Sequence, residues 1–374
     1  MGIPRPALVI FHGGLGTGEA ERLMADARAA AARNTARTAL AAGFEAVILA
    51  TDEPEAFPDD LPRVYVDPDS RHPGPFDFAA RLKEIVSRYG LEKPAVMGSG
   101  SVPLLGLEEF QLIVEQLEQR DRRFVTNNFF SADLTAWTPG EAIFEVGAFT
   151  RDNALPRRLR DDAGLAPVVL PRTTATQFDL DTPTDLAILA LDDTAPPELA
   201  RAAAPLAERC GPLRELMRLL CDRTAEIVVS GRVGSQAWQY LERETACRVR
   251  LFSEERGLAA AGPEHRARSL LGYLVEEVGV RRFFALMATL GDAFVCDTRV
   301  LEAHLGLHPS REDRFQSDLL AWDRIEEPWL REFTRAAAEA AFPVVLGGHS
   351  LVSGGLMALN DVAWREHDRR LGLA

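Results

Sequence analysis

The stretch ALVIFHGGLGTGEA, Ala7–Ala20, decides the reading of the fold. Ala7–Phe11 is an apolar run of strand length. Gly13, Gly14, Gly16 and Gly18 follow, and Glu19–Ala42, rich in Ala, Arg and Glu, runs to Gly43. Such a run is a good helix, and a glycine just past its end is a natural cap. A strand that turns through glycines into a helix is the opening unit of a parallel sheet covered by helices.

The same alternation continues outward from this segment. Strands are expected at Ala46–Ala50, Arg63–Val66, Ala95–Met97, Phe124–Thr126 and Val168–Leu170, with helices at Phe76–Tyr89 and Leu107–Gln119. Around Asp192–Leu199 the chain reads DDTAPPEL, and its two prolines and small or acidic residues mark a linker. Beyond it the alternation restarts. Strands are expected at Glu226–Ser230, Arg248–Phe252, Ala293–Cys296 and Pro343–Leu346, and helices at Gln236–Thr245, Ala267–Val278, Arg281–Leu290 and Pro328–Ala341. At 374 residues the chain is too long for one comfortable core. The fold class is therefore α/β in two domains, each a mostly parallel sheet flanked by helices. The boundaries expected are 1–192, a linker at 193–199, and 200–374.

Composition narrows the function classes. Apolar residues make up 47% and charged residues 26%, the balance of a globular protein. The net charge of −14 repels polynucleotide backbones and anionic membranes, so neither nucleic acid nor a membrane is the expected partner. A small phosphorylated ligand stays open, because local N–H donors and a few arginines decide that contact. Cys210, Cys221, Cys247 and Cys296 show no C-x-x-C spacing and read as buried free thiols. No apolar stretch reaches membrane-spanning length and Met1–Arg5 lacks signal-peptide character, so a cytoplasmic location is expected. A homo-oligomer is compatible with these features.

Two segments of the first half carry candidate chemistry. The glycine turn exposes N–H groups at a helix start, which suits a phosphate and also suits a purely structural turn. In FDLDTPTDL (Phe178–Leu186), Asp179 and Asp181 alternate along an extended segment and share one face. Thr182, Pro183 and Asp185 have a simpler reading as the start of the next helix. Two neighbouring carboxylates repel unless water separates them or a cation such as Mg²⁺ bridges them. A third segment, VTNNFFSADL (Val125–Leu134), brings Asn127 and Asn128 near Ser131 and Asp133. It reads either as a site for a base or acceptor hydroxyl, or as an Asx turn capping a following helix.

DLDTPTDL resembles the closing signature of the GT-A-type nucleotidyltransferase domain, the group that includes the molybdenum-cofactor guanylyltransferases. Within that group the likeness is nearest to the 2-phospholactate or phosphoenolpyruvate guanylyltransferases of coenzyme F420 synthesis. FEVGAFTRD (Phe144–Asp152) is similar to that family's glycine-containing turn, and GSVPLL (Gly100–Leu105) falls where the family has G-D-x-P-L-L. The likeness spans roughly residues 7–191. It implies a GT-A, Rossmann-like first domain in which Gly13, Gly14, Gly16, Gly18, Ser101, Asn127 and Asn128 hold a nucleoside triphosphate. It further implies that Asp179 and Asp181 bind Mg²⁺ or Mn²⁺, with Arg151 beside them in catalysis, while a small acceptor attacks the α-phosphate. Ser101 stands where the family has a metal-binding Asp, and the opening loop lacks the usual Arg and Lys, Arg22 being the nearest basic residue. Rival readings are a glycosyltransferase using a nucleotide sugar and a regulatory protein that binds a nucleotide without turnover.

The second half resembles no family. Its expected strands all exit into polar sets. These contain Arg232, then Glu254, Glu255 and Arg256, then Asp297 and Arg299, then Gly347, Gly348, His349 and Ser350. Ligands of parallel sheets sit beyond such strand ends. Arg232, Arg256 and Arg299 would grip a carboxylate or phosphate, and His349 would serve as acid or base.

Overall fold

The computed structural model describes residues 2–57, 61–71, 74–119, 121–149, 151–258 and 267–373. Thr150, within the FEVGAFTRD motif, lies outside the described residues. The α/β expectation holds. Seven strands form one mostly parallel sheet and four form a second, fully parallel one, each flanked by helices. The chain divides into two compact units, the first Met1–Gly14 with Arg28–Gln177, the second Leu15–Ala27 with Phe178–Ala374. Phe178–Leu191 thus packs with the second unit, upstream of the proline-rich stretch, and Pro197 itself begins the helix Pro197–Ala203.

In the first unit the strands are β1 (Ile3–His12), β2 (Ala46–Thr51), β3 (Val64–Pro68), β4 (Leu91–Gly98), β5 (Arg123–Thr126), β6 (Leu134–Thr138) and β7 (Ala166–Val169), in the order β3-β2-β1-β4-β6-β5-β7. Side chains of period two supply both faces. Leu8 and Ile10 meet Val47, Leu49, Ala95 and Met97 under the helices Glu19–Ala41 and Leu107–Leu117. Ala7, Val9, Ile48, Ala50 and Val96 face the helix Phe78–Tyr89 on the other side. That helix is capped by Asp77, which accepts from the Ala80 N–H, and ends at the left-handed Gly90.

The reading of Val125–Leu134 as a turn into a helix is corrected. The turn instead joins β5 to β6, which runs antiparallel to both β4 and β5. LTAWT has no clean alternation because both faces are covered, with Leu134, Ala136 and Trp137 all fully buried.

The second unit holds β8 (Glu226–Gly231), β9 (Arg248–Ser253), β10 (Ala293–Asp297) and β11 (Val344–Gly347), in the order β11-β10-β8-β9. Val228, Phe294, Cys296, Val344 and Leu346 pack with Phe283, Phe284 and Phe333 from the covering helices. All four cysteines are free thiols. Among the described residues no helix is long and apolar enough to cross a membrane.

Gly140 lies buried against the carbonyl oxygen of Leu91, where an added Cβ would collide with backbone. Gly140→Ala is expected to lower stability by about 1–3 kcal/mol in urea titration, as overpacking does. Gly211→Ala, which meets open space, is the control and should leave the midpoint within a few tenths of a kcal/mol of wild type or raise it slightly.

Candidate functional site

In the first unit, strand order reverses at β1. β2 and β3 lie on one side and β4 on the other, and ligands of open α/β sheets bind at such a point. A cavity of about 570 Å³ opens there, lined by Phe11, His12, Gly13, Asp52, Asp69, Phe76 and Arg81 among others. A smaller one of about 230 Å³ shares Phe11 and Phe76 and adds Gly98, Asp133 and Asp152. The backbone turns at once after His12, and the Gly14 N–H donates to Asp52 Oδ1 at 2.9 Å. Phe76 stands exposed at the rim, edge-on to Phe11.

His12, the last residue of β1, is among the lining residues that sequence reasoning missed, with Asp52, Asp69, Phe76 and Arg81. Its buried imidazole places Nδ1 3.1 Å from Ser99 Oγ and Nε2 3.4 Å from the Glu53 carboxylate. The second approach lacks hydrogen-bond geometry and is ionic only when the imidazole is protonated. Burial pushes the imidazole below the ordinary histidine range, against Glu53 and Asp52. The signal was present, a lone histidine between an apolar strand and a glycine pair. Arg81 spends its charge inside the protein, on Asp69 at 2.9 Å and the fully buried Asp67 at 3.2 Å.

The predicted glycines divide between two settings. Gly13 and Gly14 belong to the first unit, and Gly13 lines the cavity. Gly16 and Gly18 belong to the second, at the start of the helix Glu19–Ala41. There the Gly18 N–H donates to Glu21 at 3.0 Å, and the Ala20 and Glu21 N–H groups donate to Glu312 at 3.1 and 3.0 Å. The N–H donors and dipole that suit a phosphate are thus occupied by carboxylates of the chain itself.

The other first-half candidates sit as follows. Asn127 is buried, and its amide clamps the β5–β6 turn. It donates to Asp133 and the Thr176 carbonyl, and accepts from the Asp133 and Leu134 N–H groups. Asn128 accepts from the Phe130 N–H, an Asx turn. Ser101 closes a turn on Gly98 through its N–H at 3.1 Å and does not line the cavity. Arg151 is exposed beside the single turn Asp152–Ala154.

Asp179 and Asp181 belong to the second unit and alternate with the buried Phe178 and Leu180, so the shared face is real. Among the described residues no group of three or more His, Cys, Asp or Glu side chains could hold a metal ion. The described residues therefore form no cation cage of their own. Next in the chain, Asp185 is fully buried, and its Oδ2 accepts four hydrogen bonds. The donors are the Asp181 N–H at 3.1 Å, the Thr182 N–H at 2.8 Å, the Thr182 hydroxyl at 2.9 Å and the Ser350 hydroxyl at 2.6 Å.

At the strand ends of the second unit, two of the three arginines are already paired. Arg232 grips Asp297 in a fork, Nε to Oδ2 at 2.7 Å and Nη2 to Oδ1 at 3.0 Å. Burial alone would raise the Asp297 carboxyl, but Arg232 holds it below the usual range. Arg299 makes the same fork with Asp318 at 2.6 and 2.7 Å. Burial lifts Asp318 to about 6 against Arg299, which leaves the pair ionised at neutral pH. Glu254 caps the helix Leu270–Val278 through the Ser269 hydroxyl and the Leu270 N–H, and Glu255 accepts from the Arg268 N–H. Gly347 ends β11, Gly348 is buried next to it, and Ser350 is the donor to Asp185. Arg256 and His349 are exposed.

No family model matches the sequence, and no curated protein matches it. Among solved structures, a putative nucleotide-diphospho-sugar transferase from Desulfovibrio desulfuricans G20 is 14% identical, over 55% of this chain and 98% of that one, with a TM-score of 0.40. A CMP:2-keto-3-deoxy-manno-octonic acid synthetase complexed with CTP is 12% identical, over 55% and 99%, at 0.34. The bifunctional IspDF from Campylobacter jejuni is 12% identical, over 46% and 51%, at 0.33. Likenesses this faint do not bear on activity.

Asp185 makes the stability of the second unit depend on pH. Burial raises its carboxyl to about 7, against the Ser350 and Thr182 donors and with Asp181 adding to the rise. A folded-state value above the unfolded one means stability is full below about pH 4 and is lost as pH rises through about 7. Wild type is expected to lose roughly 2.5 kcal/mol from this group between pH 5 and 8, and Asp185→Asn should lose much less. Urea midpoints at the two pH values check it; equal losses in both proteins refute it.

Proposed function

We propose that the chain binds a nucleotide or nucleotide-activated compound at the carboxyl edge of the first unit's sheet. There it acts as a nucleotidyltransferase-like enzyme, passing the nucleotidyl group to a small phosphorylated or carboxylated acceptor. The observation that carries this reading is the glycine turn after β1 opening on the 570 Å³ cavity where strand order reverses. That volume lies within the range of small-molecule sites. Phe76 offers a face on which a base stacks. Asp52 and Asp69 accept from amino or hydroxyl groups, so the lining suits a base and its sugar better than a phosphate chain. The DLDTPTDL resemblance supports the same class.

A second reading, nucleotide binding without turnover, is favoured by two observations. Ser101 replaces the family's acid, and Glu312 fills the anion slot at the helix start. Transfer of a nucleotidyl group depends on positioning and on neutralising phosphate charge, and both features weaken the second requirement.

Calorimetric titration with the common nucleoside triphosphates and with nucleotide sugars, each with and without Mg²⁺ or Mn²⁺, tests binding. Saturable binding that weakens about tenfold in Phe76→Ala and Asp52→Asn, ~1.4 kcal/mol, is the expected outcome. Binding unaffected by both variants, or none at millimolar ligand, refutes the site. Pyrophosphate release with a panel of phosphorylated and carboxylated acceptors then separates enzyme from non-catalytic binder.

A further inference from the structure

The four strands of the second unit end at one edge, and their register fixes what meets there. Gly231 pairs with Ser253, and Asp297 pairs with Gly347, so the residues just beyond them leave the sheet together. β9 lies on one side of β8, with β10 and β11 on the other, so the strand order reverses between β8 and β10. That is the position at which open parallel sheets bind ligands.

The Arg232–Asp297 fork spans this reversal, joining the end of β8 to the end of β10. Gly231 makes it possible. Its φ of +125° suits glycine, and a Cβ there would strike the Asp297 side chain. With Arg232 committed to Asp297 and Arg299 to Asp318, one guanidinium is left. Among the described residues Arg256 makes no ion pair or hydrogen bond, and its Nη2 lies 3.8 Å from where a Cβ on Gly234 would sit, over the β8 exit loop. The His349 imidazole, leaving β11, likewise has no hydrogen-bond partner among the described residues and keeps an open face to water. Arg232, Asp297, Asp181 and Arg256 are the charges around it.

We propose that this edge is a second ligand site, taking a small molecule that carries a carboxylate or phosphate together with a hydroxyl or other donor, with Arg256 as the anchor and His349 beside it. A guanidinium without a protein carboxylate matches the planar anion. Asp181, among the charges around His349, favours a ligand that also donates, as a hydroxy acid or a phosphate monoester does. Crowding by protein and the Arg232 charge push His349 below the ordinary histidine range, so it meets the ligand as neutral imidazole with one donor and one acceptor nitrogen. The residues named for it all belong to the second unit.

Inorganic phosphate, which supplies both an anion and a donor, is the probe. The full chain, labelled at histidine Cε1, is titrated with it at fixed pH, and the His349 resonance is assigned by its loss in His349→Gln. A saturable shift of that resonance is expected, with the midpoint moved at least tenfold higher in Arg256→Gln and unchanged in Arg223→Gln, an exposed arginine that lines a cavity away from this edge. Circular dichroism confirms that the surface variants fold. No saturable shift at His349, or the same midpoint in wild type and Arg256→Gln, overturns the proposal.

Discussion

The second unit is organised around one buried oxygen. Oδ2 of Asp185 receives two backbone and two hydroxyl donors, and so ties the start of the helix Pro183–Leu191 to Ser350, just past β11. Thr184, on the same turn, donates to the Leu346 carbonyl at 2.6 Å within β11. The acidic turn is therefore sewn to the strand whose exit carries Gly348 and His349. Where those residues stand depends on a carboxyl that is fully desolvated. Its other oxygen has no hydrogen-bond partner among the described residues, and burial of an unpaired oxygen is costly.

Much of the fold was legible because burial on both faces leaves a plain trace. ALVIF, AVILA and IVVS are mostly apolar runs too short for helices and too continuous for exposed strands, and each lies in a strand. β6 escaped because its five residues mix threonine with apolar side chains and follow a turn rich in asparagine. Asn127 satisfies that turn from within, whereas a helix cap would have satisfied it from outside. Local composition is the same in both cases. Only the antiparallel partners on either side make the difference.

The chemistry of the strand ends was less legible than their location. Arg232, Arg256, Asp297 and Arg299 each stand at or just past a strand end of the second sheet, as their sequence positions suggested. Sequence pattern could not tell an arginine that awaits a ligand from one that neutralises a buried acid. Asp318 lies 19 residues from Arg299 and Asp297 lies 65 from Arg232. The helix start at Gly18 is the sharper instance, since the carboxylate that fills it comes from Glu312, 292 residues beyond the Ala20 N–H. In a chain with 56 acidic residues against 42 basic ones, internal acids are plentiful competitors for every cationic or N–H site.

The helix Glu19–Ala41 has a consequence for anyone who would dissect the gene. Its first turns count with one compact unit and the remainder with the other, and the chain crosses back only at Phe178. Each unit is thus assembled from two separate stretches of sequence. No single cut yields two autonomous fragments, and a product truncated at the proline-rich stretch would carry Leu15–Ala27 and Phe178–Leu191 stripped of the residues they pack on. Fragments meant to isolate either unit are better built by rejoining its two stretches than by truncation.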